Sequence, residues 1–196
     1  TFTEESLFNL LGQYLKALNI SQVKEVQVIA DGALWIWNNM KNMLVKLGVS
    51  ADKIVETLDY FHAVEHLKKL TDLLPAHKKD NKNSLFTNLK SLLWAGDIGT
   101  IIETFLTKVK RVSKKMKTEI DYFKKNNFRM NYPKFRENKW LSGSGIIESG
   151  VRRMINLRFK SASSFWKIQN LDGLMFLRCA LLSGRWKFIM NTITNF

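Results

Sequence analysis

The sequence predicts a mostly helical α/β protein: a short strand–helix–strand unit, then a long helical stretch. Two observations predict it. Two apolar, β-branched runs, "VKEVQVIA" (23–30) and "KIVETLDYF" (53–61), flank a helical pattern. After His62 the apolar spacing is helical almost to the end. The 196 residues, 45% hydrophobic and 12% aromatic, make one domain or one domain with an insertion. A chain of that length buries roughly 70% of its unfolded surface without staples.

The elements follow in order. Thr3 before Glu4 and Glu5 is an N-cap with first-turn acids. Leu7, Leu10, Leu11, Tyr14, Leu15 and Leu18 then repeat at helical spacing. Residues 23–30 read as a strand buried toward its end. Trp37, Met40, Leu44 and Leu47 share one helical face, which Gly48 ends. Residues 53–61 read as a second strand, parallel to the first, because a strand–helix–strand crossover pairs its strands that way. Helices are expected over 63–74, 84–96 and 100–125, with breaks at Pro75 and Gly96. Residues 126–145, "NNFRMNYPKFRENKWLSGSG", read as an irregular connector. Two or three helices, over about 146–160, 170–183 and 185–193, close the chain.

The net charge of +14 is uneven. Residues 1–107 carry 11 Lys/Arg and 12 Asp/Glu; residues 108–196 carry 20 and 5. Such a surplus is the footprint of a polyanion, nucleic acid first, with counterion release driving affinity. A solvated basic face, an acidic membrane surface or an acidic protein are the alternatives. The single Cys179, in the apolar run "LMFLRCALL", excludes an internal disulfide and reads as a core residue, which fits a reducing cytosol. No apolar run reaches about 18 residues and no signal peptide opens the chain, so neither a membrane span nor export is expected. The chain starts at Thr1 and reads as a piece of a longer one.

Three groups of residues carry candidate chemistry. Asp31 closes the first strand, at the edge where open α/β sheets bind ligands; Gly32 lets the chain turn beside it. Helix capping is the plain alternative. Glu148, in "WLSGSGIIESGVRRMINLRFK", falls in the first turn of a helix whose dipole favours its ionised form, the form that ligates Mg²⁺ or Mn²⁺. A Glu148–Arg152 helix pair is the alternative there. Around it stand Arg152, Arg153, Arg158, Lys160, Lys167, Arg185 and Lys187, suited to phosphates, and Trp166, suited to a base or to helix packing, with Trp186 nearby. In "LDYFHAVEHL", Asp59 ends the second strand and His62 and His66 have the i, i+4 spacing of a zinc pair. Further ligands are missing, so hydrogen bonding or packing is the favoured role.

Four segments, "VIADGALWIWN", "LDYFHAVEHL", "YFKKNNFRMNY" and "GSGIIESGVRRMINLRFK", with "FLRCALLSGRWKF" as a fifth, together resemble the DDE transposases of bacterial insertion sequences. The likeness is to the Mutator-related type with a helical insertion before the last acid. It implies a partial ribonuclease-H-like core from residues 1–62 and 141–196, with 63–140 as helical insertion and connector. It also implies that Asp31 is the second catalytic Asp and Glu148 the catalytic Glu, joined by two Mg²⁺ or Mn²⁺ ions, and that Asp59 and His62 form the Asp-x-x-His motif near the site. The activity implied is DNA strand cleavage and strand transfer. The expected setting is a homo-oligomer on double-stranded DNA, in the bacterial cytoplasm at the nucleoid. The insertion and the basic C-terminal half would clamp the transposon end.

No Asp precedes Asp31, and only 27 residues lie between Asp31 and Asp59, too few for the intervening strands of the family's first acid. The first catalytic Asp is therefore expected upstream, and the chain alone is expected to be inactive. Departures such as "KSASSFW", where the family often has glycine, leave two other readings open: an inactive remnant that only binds DNA, and a basic helical RNA-binding protein.

Overall fold

A computed structural model of the chain describes residues 3–74, 82–109, 111–160 and 165–194. The expected break at Pro75 and part of the "KSASSFW" segment lie outside the described residues. The chain divides into two compact units, Thr1–Ser144 and Gly145–Phe196.

In the first unit, helix α1 (Glu4–Ala17) starts at Thr3, whose hydroxyl accepts the Ser6 amide while Ser6 returns the bond, a reciprocal cap. Strands β1 (Val26–Ala30) and β2 (Ile54–Leu58) pair in parallel, from Val26 opposite Ile54 to Ala30 opposite Leu58. Helix α2 (Leu34–Lys46) makes the crossover. It buries Trp37 and Leu44, and ends before Gly48, which takes φ +91°.

Both strands are shorter than their patterns suggested. Residues 51–53 form a 3₁₀ turn, so Val23–Glu25 have no partner opposite them. At the other end Asp59 stops β2, because its side chain accepts the Phe61 amide and caps helix α3 (Tyr60–Asp72).

The remaining helices of this unit are α4 (Lys82–Trp94), α5 (Ile98–Lys108), α6 (Lys114–Asn126) and α7 (Tyr132–Glu137). Two expectations are corrected here. The stretch 100–125 is not one helix: Ser113 accepts the Met116 amide and starts α6 afresh. The connector 126–145 is partly helical, with a 3₁₀ turn at Asn127–Arg129 and α7 begun by Asn131 with Pro133 in its first turn. The break at Gly96 is as expected: φ is +74°, and Asp97 caps α5 through Thr100.

The core joins Leu58 of β2 and Leu44 of α2 to Leu67, Leu93, Phe105 and Phe123 of the helices, all at most 1% exposed. Glu56 of β2 is held by Arg129, Nε to Oε2 at 2.7 Å, and the guanidinium lies over the rings of Trp37 and Phe128 at 4.3 and 4.4 Å.

In the second unit, helix α8 (Gly145–Val151) runs through a π turn (Arg152–Asn156) into α9 (Leu157–Phe159); α10 (Ile168–Leu182) and α11 (Trp186–Thr194) follow. These fall where the sequence predicts two or three closing helices. Ala180 is the one buried hydrophobic residue among its described residues, and Cys179 is half-buried rather than in a closed core. Among the described residues no helix is long and apolar enough to cross a membrane.

Candidate functional site

The C-terminal edge of the two strands gathers the chemistry of the first unit. Register places Asp31 and Asp59 one residue beyond the last pair, Ala30 and Leu58, and the Asp59 amide donates to the Ala30 carbonyl at 2.9 Å. The two carboxylates nevertheless have different fates.

Asp59 is 1% exposed and fully engaged: Oδ1 accepts the Phe61 amide and Oδ2 the Ser144 amide, each at 2.8 Å. Burial pushes its carboxyl up, but hydrogen bonds from the Ser144 hydroxyl and amide and from the Phe61 and His62 amides outweigh that and hold it below the usual carboxylate value. The result is an anion used as a clamp. Gly143 makes the clamp possible: a Cβ there would meet the Phe61 ring at 3.1 Å and Asp59 Oδ1 at 3.3 Å. Two further ties hold the same segment. The Tyr60 amide donates to the Ser142 carbonyl at 2.9 Å, and Gln27 exchanges two bonds with the Leu141 backbone at 2.6 and 3.0 Å.

Asp31 is exposed. Its Oδ1 accepts the Ala33 amide at 3.0 Å, inside the turn before α2. It is not the cap of α2: that position belongs to Ala33, which makes no side-chain cap bond. Gly32, at φ +101°, lets the turn close. Tyr122 of α6 then locks it. The phenol donates to the Asp31 carbonyl at 2.9 Å, and a Cβ on Gly32 would stand 2.9 Å from the Tyr122 ring. Burial, with the nearby charges of Asp31, Glu119, Asp59 and Glu65, pushes the Tyr122 phenol well above its ordinary range, so it stays a donor.

The histidines sit beside this lock. The His66 ring stacks on Tyr122, centroids 3.7 Å apart and 15° from parallel, and its Nδ1 lies 2.6 Å from Glu119 Oε2. His62 faces Glu65 at 3.5 Å. Each histidine thus has its own glutamate. Among the described residues no group of three or more His, Cys, Asp or Glu is placed to hold a metal ion by itself.

Glu148 lies in the second unit, exposed, in the first turn of α8. Arg152, Arg153, Arg158, Lys160, Lys167 and Lys187 are exposed, as is Arg185. Arg178 braces the π turn, donating Nε and Nη2 to the Arg153 carbonyl at 3.1 and 2.6 Å. Trp166 is exposed; its indole N–H donates to the Phe159 carbonyl at 3.2 Å, and its ring meets that of Phe159 edge-on.

The ties made by Tyr122, Gln27 and the Ser144 amide were not read from the sequence. Tyr122 alone left a trace there, a polar-tipped aromatic bordering the apolar face of Met116, Ile120 and Phe123. Comparison with known proteins finds no matching family model, no similar curated protein and no similar solved structure.

Proposed function

We propose that the chain is part of a DDE-type DNA transposase of the ribonuclease-H-like class, with Asp31 and Glu148 as two of its three metal-binding carboxylates. The carrying observation is the unequal treatment of the two strand-end acids. Asp59 is sealed into the scaffold, whereas Asp31 is exposed, keeps one oxygen without a hydrogen bond from any described residue, and sits in a turn fixed by Tyr122. A fixed, open carboxylate at a strand's C-terminal edge suits a hard cation.

Mg²⁺ or Mn²⁺ held by Asp31, Glu148 and a third acid outside the 196 residues would polarise the scissile phosphate and activate the attacking oxygen. The chain's own residues aim Asp31 through Tyr122 and Gly32, hold the 141–144 segment through Gln27 and Asp59, and offer cations to the phosphate backbone. The partner is double-stranded DNA, on which the protein would assemble as a homo-oligomer.

The test is cleavage of a duplex by the complete protein with Mn²⁺. Asp31→Asn and Glu148→Gln each abolish cutting while DNA binding persists. Normal cutting by either variant would refute the assignment. A protein that binds DNA but never cuts it would be the inactive remnant instead.

A further inference from the structure

The larger part of the cationic surplus precedes the second unit: residues 108–144 carry 12 Lys/Arg and 3 Asp/Glu, against 8 and 2 in residues 145–196. Helix α6 organises a large part of it. Its apolar face, Met116, Ile120 and Phe123, is buried. At 100° per residue Lys114, Lys117, Lys124 and Lys125 fall beside that face, within an arc of about 100°. All four are exposed, and none forms an ion pair with another described residue. Asp121, half-buried, is the one acid within that arc, so the stripe keeps three net positive charges. From Lys114 to Lys125 it runs about 16 Å along the helix axis.

We infer that this lysine stripe on α6 is a separate, metal-independent binding site for the phosphate backbone of duplex DNA. The inference rests on the proposed function for its choice of polyanion. The physical match is linear charge. Duplex DNA carries one negative charge per about 1.7 Å of axis, so a straight cationic stripe of this length faces several phosphates at once. Lysines act there as point charges, giving affinity without base readout. The buried face of α6 fixes the stripe's backbone, so little backbone entropy is lost on binding. The same helix carries Tyr122, which places the stripe and the Asp31 lock on one rigid element.

The experiment is fluorescence anisotropy of a labelled 30-base-pair duplex titrated with the 196-residue protein in EDTA, from 50 to 300 mM NaCl. Replacing Lys114, Lys117, Lys124 and Lys125 together by Gln keeps helix propensity. It lowers the slope of log K against log salt by about 3 to 4, and weakens binding roughly tenfold or more at low salt, equally for unrelated sequences. The fourfold Arg variant retains the wild-type slope. An unchanged slope in the Gln variant, with wild-type binding intact, overturns the stripe and leaves the transposase proposal standing. Failure of the wild-type protein to bind duplex, or equal binding to vesicles of anionic phospholipid, overturns both.

Discussion

The Tyr122 hydroxyl donates a 2.9 Å hydrogen bond to the backbone carbonyl of Asp31, joining residues 91 apart in sequence. A similar bond closes the neighbouring strand, where the Tyr132 hydroxyl reaches the Leu58 carbonyl at 3.2 Å. Two tyrosines from the helical region thus finish the two strands at the edge where the candidate chemistry lies. The helices fix the backbone that presents Asp31.

Tyr122→Phe removes one of these bonds and keeps the ring stack with His66. The expected cost is about 1 kcal/mol in urea unfolding. In native-state hydrogen exchange the Ala33 amide should lose protection more than amides of α4 do. Gly32→Ala should cost more, roughly 1–3 kcal/mol, since it combines a positive φ with a clash against the Tyr122 ring. Equal protection of Ala33 in Tyr122→Phe and wild type would mean that the phenol does not hold the turn.

Asp59 makes an acid-stability prediction whose sign follows from its lowered pKa. The folded carboxyl titrates below the unfolded one, so its contribution is complete above the unfolded value of about 3.9 and drains away as pH falls through the folded value. The melting temperature of wild type should therefore fall more steeply below about pH 4 than that of Asp59→Asn. Asp59→Ala should lose roughly 2–4 kcal/mol at neutral pH, from the lost cap and the Ser144 and Phe61 amides left without an acceptor. Parallel acid profiles for wild type and Asp59→Asn would show that the clamp is not ionic.

Arg129 should be a stability residue and not a phosphate contact. It is mostly buried, paired with Glu56 and packed between two rings. Arg129→Ala leaves Glu56 mostly buried without its partner, at a cost of about 3 kcal/mol. Arg129→Ala combined with Glu56→Gln should recover part of that loss. The salt slope of DNA binding should stay at the wild-type value in Arg129→Gln combined with Glu56→Gln; a slope that drops by about one would make Arg129 a backbone contact.

The residues that could be read from sequence are those whose signal is local. Thr3 caps α1 through a residue three positions away; Gly48 and Gly96 end helices by their own φ; the strands announce themselves by β-branched runs. Asp59 was harder, because an acid after an apolar run both ends a strand and begins a helix, and the sequence Asp59–Phe61 satisfied either pattern. The break between α5 and α6 was hidden because lysines and apolar residues keep helical spacing across it, and Ser113 is an unremarkable residue until it caps. Gln27, Tyr122 and the Ser144 amide act on partners 85 to 114 positions away, a distance at which one sequence carries no pairing information.

The most direct test of the central claim uses Fe²⁺ in place of Mg²⁺, with ascorbate and peroxide, so that hydroxyl radicals cut the polypeptide beside the bound ion. In the complete protein on duplex DNA, backbone scission should cluster at two places, near residue 31 and near residue 148. Excess Mg²⁺ should suppress both cuts, and Asp31→Asn should suppress them together. Scission at only one of the two positions, or a pattern untouched by Asp31→Asn, would contradict a shared metal site.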